Sequence, residues 1–150
     1  MNMAPDDNTG SESAFLMAAA WLRNCLHSHR QCGTNRGEYS PPTRLVDISN
    51  LKDSGNPKLI TGERADGPYI ALSHLWGRES LPRTTRSNLD DHMHAIPMHT
   101  LSNSIRDAIS IVKRLSIHYL WIDALCIIQD SQEDWLAEAS TWVLSIVTRY

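Results

Sequence analysis

The sequence is poor in cysteine, carries no excess of positive charge and contains no long apolar run. Its 150 residues include three cysteines, Cys25, Cys32 and Cys126. An odd, small number argues against a secreted disulfide framework and points to a reducing compartment. Lys and Arg number 14 against 17 Asp and Glu, a net charge of −3. No broad basic field exists to hold a nucleic-acid backbone, and no nucleic-acid partner is expected. No stretch approaches the roughly 20 apolar residues that a membrane-spanning helix needs. The first residues carry Asp6, Asp7 and Glu12 where a signal peptide would be basic and then apolar. A cytoplasmic protein without membrane contact is the expectation. Internal repeats are lacking too.

What is present is an ordinary globular balance, 41% hydrophobic and 21% charged. A chain of this length buries a core without a metal or disulfide staple. Residues 1–12 are small and polar and are expected to be a disordered tail. From Ser13 to His29, Phe15, Leu16, Ala19, Leu22, Cys25 and Leu26 recur at helical spacing. Two short apolar runs follow, Arg44 to Ile48 and Lys58 to Thr61. The Ser-Gly-Asn-Pro turn signal between them predicts a two-stranded antiparallel ribbon. Residues 13–62 thus form a lead-in of one helix and short strands to a domain over 69–150.

In that domain, residues 69–74 (YIALSH) read as a buried strand. Asn88 to His94 spells one or two helical turns. Leu101, Ile105, Ala108, Ile109, Val112 and Leu115 mark an amphipathic helix that Thr100 or Ser102 would cap. Residues 118–123 (HYLWID) read as a second buried strand. Ser131 then opens a last helix with Gln132, Glu133 and Asp134 in its first turn, the end that favours acids. Strand, helix, strand predicts an α/β fold with two parallel neighbours.

Ligands of parallel α/β sheets collect beyond the carboxyl ends of the strands. That edge receives Ser73, Trp76 and Gly77 from the first strand, and Asp123 and Cys126 from the second. Each has a structural reading as well. Ser73 and Asp123 could cap turns, Trp76 could be core, Gly77 could serve a tight turn, and Cys126 reads as a small buried hydrophobe. Glu138, one turn or so into the last helix, reads on spacing alone as a solvated glutamate. Near a pocket it would serve as acid, base or transition-state stabiliser. Ser73, His74 and Asp123 hold the residue types of a hydrolytic triad, but adjacent strand residues point to opposite faces, so His74 does not serve Ser73. Cys25, His27, His29 and Cys32 follow no familiar zinc spacing, and no metal is expected. His92, His94 and His99 read as solvated.

Three blocks carry a resemblance. YIALSHLWG, then DAISIVKRLSIHYLWIDALCIIQD, then DWLAEA, resemble in order and spacing the fungal heterokaryon-incompatibility (HET) domain. The resemblance implies a partial parallel sheet like that of Toll/interleukin-1 receptor (TIR) or flavodoxin-like domains, with flanking helices, preceded by the N-terminal helix and ribbon. It implies cell-death signalling through homotypic or other signalling-domain partners. It also implies that Glu138 is the candidate catalytic residue, acting on NAD as substrate with no cofactor required. Ser73, Trp76, Gly77, Asp123 and Cys126 would shape that pocket. Beyond Glu138 the family continues through further strands, and here the sequence reads ASTWVLSIVTRY, so a domain shortened at its carboxyl end is expected.

Overall fold

A computed structural model describes residues 8–29, 41–73 and 82–147, without the side chains of 53–54 and 141–147. The first seven residues of the expected tail, and Cys32, His74, Trp76 and Gly77, lie outside the described residues. The chain divides into two units, Met1–Tyr39 and Ser40–Thr148. In the first, helix α1 (Glu12–Ser28) starts where the Ser11 side chain accepts the Ala14 N–H. Phe15, Ala19, Leu22 and Cys25 of its apolar face are half-buried, whereas Leu16, Trp21 and Leu26 are exposed.

The second unit opens with β1 (Arg44–Asp47) and β2 (Lys58–Thr61), paired antiparallel with Arg44 opposite Thr61. Helix α2 (Leu51–Ser54) lies between them and ends at Gly55, whose φ of 71° is left-handed backbone that glycine adopts freely. A 3₁₀ turn, Gly62–Arg64, leads to β3 (Tyr69–Leu72). Helices α3 (Leu89–His94) and α4 (Asn103–Arg114) precede β4 (Tyr119–Ile122). A single turn, α5 (Asp123–Cys126), and then α6 (Gln132–Val147) complete it.

The strands form one four-stranded sheet in the order β2-β1-β4-β3. β3 and β4 run parallel, with Ile70 beside Leu120 and Leu72 beside Ile122. The expectation of a parallel sheet preceded by a separate ribbon is corrected here. β1 pairs antiparallel with β4, Val46 beside Leu120, so the ribbon is part of the same sheet and the sheet is mixed. The physical reason lies in β4, whose four residues are all buried. A strand this buried has no water to satisfy the backbone N–H and C=O groups along its edges, so each edge needs a paired strand, and β3 supplies only one.

Leu120 and Ile122 share one face of the sheet with Val46, and Tyr119 and Trp121 share the other with Leu45. Helix α4 packs on β4 through its buried Ile105, Ile109 and Val112. Ser102, one of the two expected caps, accepts the Ile105 N–H. α4 ends in a Schellman arrangement, with Ile117 N–H on the Val112 carbonyl and Ser116 N–H on Lys113. Ser116 occupies the left-handed position, φ 58°, where glycine is usual. Ser131 caps α6, as its sequence predicts, by accepting the Asp134 N–H.

Candidate functional site

The parallel register, continued one residue past Leu72 and Ile122, sets Ser73 beside Asp123 at the carboxyl ends of β3 and β4. Ser73 is exposed and Asp123 half-buried. Continued in the other direction, the antiparallel register brings Arg44, the first residue of β1, beside Ile122. The start of β1 therefore reaches the same edge as the ends of β3 and β4. With strands about 4.8 Å apart, Thr43 and Ser73 flank Asp123 from opposite sides, roughly 10 Å from each other.

Glu138 belongs to the β1 side of this edge. It is 1% exposed, which excludes the solvated glutamate that its spacing suggested. Its Oε1 accepts the Thr43 N–H at 2.8 Å. Its Oε2 is buried and has no hydrogen-bond partner among the described residues. One turn earlier on α6, Asp134 pairs through both carboxylate oxygens with the Arg44 guanidinium and accepts the Ile128 N–H at 2.8 Å. Arg44, 8% exposed, also donates from Nε to the Cys126 carbonyl at 2.8 Å. A charge inside the apolar run RLV was the one sequence signal for this buried pair, because an arginine there has to meet an acid.

Cys126 is fully buried, and its Sγ accepts the Ile122 N–H at 3.4 Å. Burial pushes its thiol up to about 12, and the nearby Glu138 carboxylate adds to the rise. A thiol so placed is no nucleophile near neutral pH. Trp121 is buried in the core. Of the expected pocket residues, the register sets Ser73 beside Asp123 on one side of β4, while Glu138 lies on the other side, close enough for its charge to act on the Cys126 thiol. Trp76 and Gly77 lie outside the described residues.

A second polar cluster was missed by sequence reasoning. Thr84 is fully buried, donates its hydroxyl to the Leu125 carbonyl at 2.6 Å, and lies 2.9 Å from His92 Nδ1. A hydroxyl has one proton, so Nδ1 of His92 is the donor in the second bond. His92 is buried, not solvated as its polar neighbours Asp90, Asp91 and His94 suggested. Burial holds its pKa below the ordinary 6.5, against a smaller upward pull from Asp91. The Thr84 backbone adds bonds to Ala124 and Gln129, and Gln129 Nε2 donates to the Asp123 and Ile127 carbonyls. This lattice fixes the loop after β4, and with it the place of Asp123. Among the described residues, no group of three His, Cys, Asp or Glu side chains is placed to hold a metal ion, and no helix is long and apolar enough to cross a membrane.

An α/β domain with a mixed sheet and a polar rim at the carboxyl ends of its two parallel strands is the class that this geometry defines. The family model for heterokaryon incompatibility protein (HET) matches residues 69–143, and the chain belongs to that family. The match runs from the first residue of β3 into α6. No curated protein and no solved structure matches.

Proposed function

We propose that this chain is a cytoplasmic signalling module of fungal incompatibility, one that initiates cell death after self/non-self recognition. The family match over β3 to α6 carries this reading. Its sheet would be a partial relative of the TIR type, and its partners copies of itself or other signalling domains. Trp135 and Leu136 stand exposed, 56% and 58%, at the start of α6 and offer apolar contact for such assembly. Induced expression in a filamentous fungus is expected to arrest growth and lower viability, and Trp135→Glu to relieve that effect. Full viability at equal levels of folded protein would remove the reading.

A second reading is enzymatic, and Glu138 supports it: a buried carboxylate with one unpartnered oxygen, beside the strand ends where α/β sheets hold ligands. The substrate would be NAD. The bond between ribose C1′ and the nicotinamide nitrogen breaks, and its electron pair leaves with the ring and cancels the ring's positive charge. Water adds at C1′ and gives up a proton. A carboxylate at this position stabilises the oxocarbenium-like charge on C1′ in between. Ser73, Asp123 and Cys126 would border the ribose, with Trp76 and Gly77 completing the expected pocket. Purified protein incubated with NAD should release nicotinamide, and Glu138→Gln, which keeps an acceptor for Thr43, should stop the release while the fold persists. Absence of release at high protein concentration would leave assembly as the whole activity.

A further inference from the structure

The segment just ahead of β1 lies on Glu138, and neither the family match nor the expected pocket accounts for that contact. Residues 41–44 fall outside the matched region. Pro41 and Pro42 have no N–H and a fixed φ, so the first N–H that the segment can offer is that of Thr43. That N–H goes to Glu138 Oε1. Thr43 itself is exposed while Glu138 is 1% exposed. The residue that bonds the buried carboxylate is therefore itself at the surface.

The segment is held in place independently of Glu138. The Thr43 carbonyl accepts the Gly62 N–H at 3.0 Å. Gly62 is packed so closely that a Cβ there would stand 1.9 Å from the Pro42 carbonyl oxygen. Arg44 is anchored to Asp134 and to the Cys126 carbonyl. The other oxygen of Glu138, Oε2, is buried and has no partner among the described residues. A buried acceptor without a donor raises the free energy of the covered state, which favours any state that gives it one.

A carboxylate that stabilises charge on a sugar has to present an oxygen to it, and here one oxygen accepts the Thr43 N–H and the other is buried. We propose that residues 41–43 are an autoinhibitory plug hinged at Arg44, and that nucleotide reaches Glu138 only after this segment lifts from α6. The proposal rests on the reading of Glu138 as the carboxylate that acts on NAD. The observed state is then the resting state, and its rate is lowered by the small fraction of molecules in which the plug is open. A signal that moves β1 or its ribbon would set that fraction.

Two substitutions lift the plug by different routes. Thr43→Pro removes the N–H on Glu138, and Gly62→Ala pushes the Pro42 carbonyl away. Two readouts apply to each in the full chain: carbodiimide modification of Glu138, located by mass spectrometry, and nicotinamide release from NAD. Both variants, checked for folding by circular dichroism, are expected to modify Glu138 at least tenfold faster than the parent chain and to release nicotinamide correspondingly faster. Faster modification with no nicotinamide release from any chain removes NAD as substrate and leaves the plug standing. Equal modification rates in parent and variants overturn the plug, whatever happens to NAD. Faster modification with slower release overturns it as well, since the Thr43 N–H would then orient the carboxylate for the reaction. Should neither variant fold, hydrogen exchange in the parent chain decides. A Thr43 amide that exchanges well before those of β4 supports a lifting segment, and one that exchanges only with them overturns it.

Discussion

Arg44 stands at the first position of β1, in a place that its neighbours Leu45 and Val46 make apolar, and its charge is matched by Asp134. The side chains of the pair are 10% and 15% exposed, so solvent has little part in stabilising either. Removing one partner leaves the other buried without its counter-charge. Arg44→Met is expected to lower the unfolding free energy by about 3–5 kcal/mol, read from urea denaturation. A loss below about 1 kcal/mol, the range of exposed ion pairs, would mean that water enters the site and replaces the guanidinium. Cys126 supports a second expectation at this scale. With its thiol pushed up to about 12, iodoacetamide at pH 8 should leave Cys126 unmodified in the folded chain and react once urea unfolds it. Modification of the folded chain at the rate of a peptide thiol would contradict the burial described.

At the scale of elements, α3 is tied to the loop after β4 through His92 and Thr84. Folding lowers the pKa of His92 below 6.5 by burying it. As the pH falls through that ordinary value, the unfolded chain takes up a proton that the folded chain refuses. Stability is therefore complete above about pH 7 and declines below it toward the lowered folded pKa. His92→Asn keeps a donor for Thr84 and loses the titration, so its stability between about pH 7 and 5 should fall less steeply than that of the parent chain. Thermal unfolding across that range measures the difference. At the end of α4, Ser116 holds a left-handed conformation against its own Cβ. Ser116→Gly is expected to raise stability by about 1 kcal/mol, and an unchanged or lower Tm would show that the serine side chain stabilises the turn.

The elements themselves were legible. The period of α4, the acids after Ser131 and the turn after Ser54 each act within a few residues, and the four strands, α4 and α6 follow such signals, whereas the single turns α2 and α5 were not foreseen. His92 was not legible, because its ring bonds the buried Thr84, eight residues away, and nothing next to it in sequence announces that contact. Glu138 was placed on its helix correctly and given the wrong surroundings for the same reason: the group that bonds it is the N–H of Thr43, 95 residues earlier.

For the molecule as a whole, strand-helix-strand foretold the parallel pair β3 and β4, whereas nothing in the sequence named β1 as the other neighbour of β4. One signal pointed that way. The run YLWI is apolar at every position, and a strand of that kind lies inside a sheet rather than at its edge. The consequence is measurable. A chain beginning at Asp66 keeps the region that the family model matches but removes β1, β2, the cation for Asp134 and the donor for Glu138. It is expected to lose cooperative unfolding and to be cut rapidly by protease, while a chain beginning at Ser40 unfolds in one sharp transition. Cooperative melting of the shorter chain would show that β3 and β4 are sufficient by themselves.

The antiparallel seam between β1 and β4 also sets an order of events on the ribosome. The β1–β2 hairpin is synthesised early and its inner rail of amide and carbonyl groups must wait, unmatched, until Tyr119 to Ile122 emerge. At about 5–20 residues per second, that wait lasts several seconds, in which the nascent hairpin is open to any strand that reaches it. The last strand to arrive is the one that joins the hairpin to β3, so the sheet closes late and nearly at once.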